Sequence, residues 1–169
     1  GASESHAWGV AGTQQVGTAF LDGQGWRAGL WNGTAASWVN LNPSGATWSV
    51  AYGTVGIQQA GAAVVGGVHR AGVWGGTAGS WVSLHPTGAT SSEAWATTGA
   101  RQVGWTWDGD MFRASLWFGT AASWVSLHPT GATWSEAVSA FGNLQAGGAQ
   151  IGGAWRAGLW RDTAASWVN

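Results

Sequence analysis

Four arginines recur at one position of a repeated segment and are the first candidates for chemistry in this chain. They are four of its six cations, and only Glu93 and Glu136 form a recurrent acidic position that could form ion pairs with them. A guanidinium fork suits a carboxylate or sulfate ligand, but it can equally bond backbone carbonyls between packed sheets. The residues alone leave both interpretations open. The four arginines are Arg27, Arg70, Arg113 and Arg156.

Tryptophan is the second residue type that could bind a ligand, because its ring offers a large flat apolar surface. Sixteen tryptophans occur. Eight of them fall in two columns, meaning positions that are equivalent in every copy of the repeat, and core packing is the simplest role for them. Trp48 and Trp134 each follow Gly-Ala-Thr in a predicted connection between units, which makes them candidate stacking platforms. Packing over the neighbouring unit is the alternative. The two core columns are Trp31, Trp74, Trp117 and Trp160, and Trp38, Trp81, Trp124 and Trp167.

Catalytic and metal-binding patterns are absent from the sequence. It contains no cysteine, no Gly-x-Ser-x-Gly elbow and no phosphate-binding loop. His85 and His128 recur in Leu-His-Pro, where the first copy has Asn42, but no third ligand recurs with them. The sequence therefore predicts no catalytic residue, no metal site and no cofactor, and it argues against an enzyme.

Composition narrows the classes of partner. Charged residues make up 8% of the chain, lysine is missing and the net charge is −1, which excludes a nucleic-acid or anionic-membrane binder. No apolar run is long enough for a membrane-spanning helix, so membrane insertion is not expected. The composition, rich in Gly, Trp and Thr, favours an extracellular or cell-surface setting.

The chain consists of four tandem copies of one unit. The segments WNGTAASWVN, WGGTAGSWVS, WFGTAASWVS and WRDTAASWVN recur every 43 residues, and the match extends over copies 1–44, 45–87, 88–130 and 131–169. The first copy has one extra residue within 18–25, and the fourth ends at Asn169, before the Leu-x-Pro tail of the others. A unit of this size buries too little surface to fold alone, which predicts a single domain over 1–169.

Turn-forming residues divide each unit into four short predicted strands. In the third copy the predicted strands are Ser92–Thr98, Gln102–Trp107, Phe112–Trp117 and Ser123–Leu127, separated by turn residues. The second hairpin is marked in every copy by Asp-Gly or Gly-Gly, at 22–23, 66–67, 108–109 and 152–153. Four antiparallel strands in 40 to 50 residues are typical of a propeller blade, so the prediction is an all-β, four-bladed β-propeller. Closure by four blades alone is favoured over an eight-bladed ring shared by two chains, and a fragment of a longer array is a further alternative.

At the same residues the repeat resembles the HAF family of bacterial extracellular repeats, named for a His-Ala-Phe step. The resemblance lies in a Gln-rich step, a short hairpin, an aromatic residue or His before Arg-Ala, then Gly-Thr-Ala-Ala-Ser and Leu-His-Pro. The named step reads Trp26-Arg27-Ala28, His69-Arg70-Ala71, Phe112-Arg113-Ala114 and Trp155-Arg156-Ala157 here, so its letters are not preserved. The resemblance implies a secreted or surface β-propeller repeat protein and brings no catalytic residue.

Two classes of function follow from these observations. The first is a non-catalytic interaction or structural module that associates with itself or with other surface proteins, as its low charge allows. The second is a lectin-like binder with one weak carbohydrate site per blade, built from Trp48, Trp134 or their equivalents and the arginine column. We favour the first, because blade packing accounts for most of the tryptophans.

Overall fold

A computed structural model describes residues 2–169, so Gly1, at which the predicted domain and first copy begin, lies outside the described residues. Its strands form four antiparallel sheets, one for each sequence copy. Sheet 1 contains β1 (Ala2–Ala11), β2 (Gln14–Leu21), β3 (Gly25–Asn32) and β4 (Val39–Asn40); sheet 2 contains β5 (Ala46–Thr54), β6 (Gln59–Val65), β7 (Val68–Trp74) and β8 (Val82–Ser83). Sheet 3 contains β9 (Ser91–Thr97), β10 (Gln102–Trp107), β11 (Phe112–Trp117) and β12 (Val125–Ser126); sheet 4 contains β13 (Ala132–Phe141), β14 (Leu144–Ile151) and β15 (Ala154–Trp160).

Every sheet is a meander, with each strand hydrogen-bonded to the next one along the chain. The predicted hairpin between the second and third strands is confirmed. In sheet 2, Val65 pairs with Val68, and the two residues between them, Gly66 and Gly67, have φ values of 62° and 78°. Positive φ at both central residues is the turn that matches the right-handed twist of the flanking strands. The glycine pairs in the sequence thus fix the register of these hairpins.

The fourth strand of each unit is shorter than predicted. In the third copy, a 3-10 turn over Ala121–Ser123 replaces the start of the expected strand, and only Val125–Ser126 pair with β11. Ser123 explains the difference, because its hydroxyl accepts from the Phe118 amide at 2.8 Å and donates to the Thr120 carbonyl at 2.6 Å. In sheet 4 the fourth strand is reduced to one bridge between Leu159 and Val168.

Successive sheets pack face to face through three repeats of one apolar interface. Between sheets 1 and 2, Ala51 and Trp74 of sheet 2 are buried against sheet 1. Trp117 and Trp160 occupy the same place at the next two interfaces. These three rings are buried, which confirms the core role predicted for them, whereas Trp31 of the same column is half-buried. The residues that they meet on the preceding sheet are Val16, Ala28, Leu30 and Leu41; Ala60, Ala71, Val73 and Leu84; and Val103, Ala114, Leu116 and Leu127.

Sheets 1 and 4 do not pack against each other in the way that neighbouring sheets do. Most of β1 and most of β15 are exposed to solvent, whereas most of the corresponding residues of sheets 2 and 3 are buried or half-buried. Residues 2–169 therefore form an arc of four sheets with two uncovered ends. No helix in this part of the chain has the length and apolar character needed to cross a membrane.

Candidate functional site

The two uncovered ends of the arc expose apolar side chains whose equivalents are buried at the internal interfaces. We call the face of a sheet that meets the preceding sheet its N-face, and the face that meets the following sheet its C-face. At each internal interface a C-face packs on an N-face. The N-face of sheet 1 and the C-face of sheet 4 are thus the two unmatched halves of the same interface.

The N-face of sheet 1 is formed by Ser5, Ala7, Trp31 and Trp38. Ala7 is exposed and Trp31 is half-buried, although their equivalents in sheet 3, Ala94 and Trp117, are fully buried. Two open hollows lie on this face, of about 290 and 400 Å³, and both are lined in part by Ser5 and Trp31. At the internal interfaces this space is filled by aliphatic side chains of the preceding sheet.

The C-face of sheet 4 presents the complementary aliphatic surface. Leu159 is 47% exposed, whereas its equivalent Leu116 is 0% exposed under the next sheet. Leu144, Ala146 and Leu159, with Phe141, border a shallow apolar hollow of about 180 Å³. Because these side chains are aliphatic and face solvent, covering them would contribute favourable burial free energy.

The arginine column is engaged mainly in contacts within the fold. Arg27 donates to the Thr47 carbonyl of the next sheet at 2.7 Å, and Arg70 donates to the Val65 carbonyl at 3.4 Å. Arg113 forms an ion pair with Asp108 at 2.8 Å. The Met111 and Asp110 backbone amides, with a smaller contribution from Arg113, lower the pKa of the Asp108 carboxyl to about 2. Arg156 is exposed on β15. The four arginines lie on four different sheets and do not converge on one site.

Glu93, at the recurrent acidic position, does not form an ion pair with any of the four arginines. Its carboxylate accepts from the Trp95 indole at 2.9 Å and lies 3.5 Å from the His69 ring nitrogen. Burial, and to a smaller extent the Glu93 carboxylate, raises the pKa of Tyr52 far above its usual value. The Tyr52 hydroxyl therefore stays protonated.

Trp48 lies in an aromatic cleft between sheets 1 and 2. It belongs to β5 itself and not to a connection, because the strand begins at Ala46 directly after the Gly45 turn. The cleft is open to solvent and has a volume of about 280 Å³. Its lining residues are His6, Trp8, Thr18, Trp26, Trp48, Val50 and Tyr52.

Sequence reasoning found only Trp48 among the walls of this cleft. Trp8 and Tyr52 share one column of the repeat, and Trp26 lies in the column that precedes the arginines. In the structure the Trp8 and Tyr52 rings lie 6.5 Å apart, and His6 lies 5.5 Å from Trp26. The available signal was the coincidence of aromatic residues in three columns of adjacent copies.

Trp134 lies in a different environment from Trp48. It belongs to β13, is 37% exposed, and stacks on Phe112 of the preceding sheet with ring centroids 4.1 Å apart. Phe112 also stacks on Trp107 at 5.8 Å, and Trp155 lies 6.3 Å from Trp134. The structure thus places the two candidate platforms at separate interfaces, one in a cleft and one in a row of stacked rings.

His85 and His128 link adjacent segments of backbone. The Ser92 hydroxyl accepts from the Ala71 amide at 2.9 Å and lies 2.8 Å from His85 Nδ1, while His85 Nε2 lies 3.1 Å from the Ala89 carbonyl. Because a carbonyl can only accept, Nε2 carries the proton and Nδ1 accepts from the serine. His128 has the same arrangement with Ser135 and Ala132. Within residues 2–169 no three His, Asp or Glu side chains are grouped as metal ligands.

Comparison with solved structures agrees with this geometry. The chain superposes on the crystal structure of TolB from Acinetobacter baumannii with a TM-score of 0.67, at 13% sequence identity and over 94% of this chain. The fold is that of a β-propeller. The superposed region is 41% of the TolB chain, so this chain spans about two fifths of the length of that propeller protein. No protein-family model and no curated protein matches the chain.

The neutral histidines predict a pH dependence of propeller stability. Burial lowers the pKa of His85 and His128, with a smaller contribution from nearby arginines, so the unfolded chain binds more protons than the folded one near pH 6. Stability is therefore full above the ordinary histidine pKa of 6.5 and declines as pH falls below it. We expect the melting temperature to fall by about 2–4 °C between about pH 7.5 and about pH 5.

The control is the double variant His85→Asn/His128→Asn, because the first copy already has asparagine there. Asn42 accepts from the Ser49 hydroxyl at 2.7 Å and donates to the Ala46 carbonyl at 3.1 Å. The variant should fold and lose this part of the pH dependence in calorimetry. An unchanged pH profile would show that the two histidines carry none of it.

Proposed function

We propose that the chain is a non-catalytic β-propeller interaction module that associates through the N-face of sheet 1 and the C-face of sheet 4. The observation that carries this proposal is the exposure of both halves of an interface whose apolar cluster is buried wherever two sheets meet within residues 2–169. Exposed apolar surfaces of this kind mark protein interaction sites. The partners that the surfaces fit are copies of this chain or other proteins with a propeller face.

Charge and setting are consistent with this role. A net charge of −1 and a charged fraction of 8% leave little electrostatic repulsion between copies, which favours association. The same composition disfavours nucleic acid as a partner. With the resemblance to the HAF repeats, it supports a secreted or cell-surface location for the module.

Sedimentation velocity over a wide range of protein concentration tests the proposal. We expect a discrete associated species whose population grows with concentration, because the two end faces are buried on association. A chain that stays monomeric and monodisperse at the highest concentration would overturn self-association. Dye binding to exposed apolar surface should fall as the associated species forms, which links association to these faces.

A second candidate function, carbohydrate binding, is favoured by the aromatic cleft between sheets 1 and 2. Its walls carry three indole rings whose apolar faces suit the C–H surface of a sugar ring, and indole N–H groups can donate to hydroxyls. A neutral pyranose is therefore the ligand class that fits this cleft.

The two candidate tryptophans make this second function testable. Titration calorimetry with a panel of neutral monosaccharides and disaccharides should show binding that Trp48→Ala weakens by about tenfold or more, since one stacking wall is lost. Trp134→Ala is the matched control, because it removes an equal ring outside the cleft and should bind as the wild type does. Equal loss in both variants, or no binding by the wild type, would contradict a site in the cleft.

A further inference from the structure

We propose that the partner of each end is a second copy of this chain, joined head to tail, so that two copies close one ring of eight sheets. The C-face of sheet 4 in one copy packs on the N-face of sheet 1 in the other, at both ends. This inference rests on the proposed association and names its partner and its register. It is argued from three features of the internal interfaces.

The first feature is the steric match of the two ends. At the internal interfaces an aliphatic residue of the C-face, Leu30, Val73 or Leu116, packs with the tryptophan of the following N-face. Leu159 and Trp31 are the remaining members of these two columns, and neither has this partner within residues 2–169. Bringing together the two ends would give Leu159 the same environment that Leu116 has beside Trp160.

The second feature is a polar contact that changes in a coordinated way along the chain. Between sheets 1 and 2, the Gln14 side-chain oxygen accepts from the Thr54 hydroxyl at 2.7 Å and from the Gln59 amide at 3.1 Å. Between sheets 2 and 3, Gln58 accepts from the Thr97 hydroxyl and the Gln102 amide, at 2.5 and 2.9 Å. An acceptor on one sheet thus meets a hydroxyl on the next.

At the third interface both partners differ together. Arg101 replaces the glutamine and Ala140 replaces the threonine, so the acceptor and the hydroxyl are lost at once. Asp162 of sheet 4 supplies the missing acceptor, because its carboxylate bonds Arg101 at 2.9 and 2.8 Å and the Gln145 amide at 2.7 Å. The columns therefore change in matched pairs across an interface.

The two end faces carry the fourth matched pair of these columns. Leu144 of sheet 4 stands where the glutamine acceptor stands, and Val10 of sheet 1 stands where the threonine hydroxyl stands. Val10 is 68% exposed, and both residues lack the polar group of their equivalents. The Gln15 amide donates to its own Thr13 carbonyl at 2.7 Å, whereas Gln59 and Gln102 each donate both within their own sheet and to the preceding sheet. An apolar pair on the two ends is what contact between them would select.

The third feature is a backbone hydrogen bond. The Ala28, Ala71 and Ala114 amides each donate to a serine hydroxyl of the following sheet at 2.9 Å. Ala157 is the fourth member of this column, and no sheet follows it within residues 2–169. Ser5 of a second copy is the equivalent of the three acceptor serines and would supply the hydroxyl.

Closure sets the number of copies at two. A head-to-tail contact generates a ring if its rotation closes and a filament if it does not. Propellers typically have about four to eight blades, and two copies of four sheets lie within this range whereas three copies exceed it. Uncovered ends in the single chain argue against closure by four sheets alone.

Complementary charge variants test both the partner and the register. Val10→Glu and Leu144→Lys each place an unpaired charge in the proposed contact and should weaken dimer formation by about 100-fold. An equimolar mixture of the two variants should recover the dimer, because one of its junctions then pairs Glu with Lys and the other keeps Val with Leu. Native mass spectrometry distinguishes this mixed dimer by mass. Circular dichroism of each variant checks that it stays folded.

The outcomes separate this inference from the broader proposal. Ile57→Lys is the control, since Ile57 is 87% exposed in a loop of sheet 2 and its substitution should leave the dimer intact. A dimer that survives Val10→Glu and Leu144→Lys would overturn the head-to-tail register while self-association stands. Rescue by mixing Val10→Glu with Val10→Lys, and not with Leu144→Lys, would show a head-to-head contact instead. A wild type that is monomeric at every concentration would overturn both.

Discussion

Trp117→Ala should lower the free energy of unfolding by about 3–5 kcal/mol, as large-to-small substitutions of buried aromatics do. Trp117 is 0% exposed and lies between sheets 2 and 3, in contact with Ala71, Val73 and Leu84. Its removal opens a void at an interface whose other side chains are too short to fill it. Urea denaturation at fixed protein concentration measures the loss, since association would otherwise shift the midpoint.

Trp31→Ala is the matched control for this prediction, because Trp31 belongs to the same column but faces the uncovered end of sheet 1. It should cost the dissociated chain much less stability than Trp117→Ala, while it weakens association. Trp117→Phe is informative as well, since the buried Trp117 indole nitrogen has no hydrogen-bond partner. Phenylalanine removes that unpaired donor and keeps most of the packing. Equal losses for Trp31→Ala and Trp117→Ala would contradict the assignment of one buried and one open interface.

The sheet architecture could be predicted because the signals for it are local. Strands β10 (Gln102–Trp107) and β11 (Phe112–Trp117) have the bounds expected from the sequence, since turn residues end each run. The predicted start of the fourth strand was wrong because the Ser123 hydroxyl hydrogen-bonds to the backbone of the preceding turn. A pattern of apolar residues does not reveal that contact. Trp48 was assigned to a connection because nothing in Gly-Ala-Thr shows that a strand begins at Ala46.

The ends of the arc and the aromatic cleft depend on relations between sheets, which a single repeat does not encode. The angle between neighbouring sheets decides whether four of them close, and it depends on the summed shapes of many packed side chains. The sequence nevertheless contains a sign of the open ends, because Val10 stands where Thr54 and Thr97 stand in other copies and Leu144 stands where Gln14 and Gln58 stand. The cleft requires Trp8, Trp26 and Trp48 to converge from different strands, so it became visible only with the register of the strands.

The arginine column shows why recurrence alone did not identify a binding site. Arg27 and Arg113 recur because the fold offers each an acceptor, a carbonyl of the next sheet in one case and Asp108 in the other. A recurring residue in a repeat protein is repeated along with the scaffold, so structural and ligand roles look the same in sequence. The residues that differ between copies, such as Asp162 and Leu144, report more about interfaces than the residues that are shared.

Gly104→Ala should disrupt sheet 3 and cost about 3 kcal/mol or more, which is the upper range for overpacking. Gly104 pairs with Ala94 beside the bulge in β9, and an added Cβ would lie against the Glu93 carbonyl oxygen and the Ala94 Cα. Both are backbone atoms, so no rotamer change relieves the clash, and β9 would have to separate from β10. Because Ala94 packs against sheet 2, this displacement would also open the neighbouring interface.

Gly79→Ala is the control that separates crowding from a general effect of replacing glycine. No atom lies near the position of a Cβ on Gly79, and the other three copies have alanine there, as Ala36, Ala122 and Ala165. This variant should be stabilised by about 0.4–1 kcal/mol, because alanine restricts the unfolded chain. Comparison of the two denaturation midpoints checks the prediction. If Gly104→Ala unfolds at the wild-type midpoint, β9 can move away from β10 without loss, and the close packing of the inner strands does not determine the stability of the sheet.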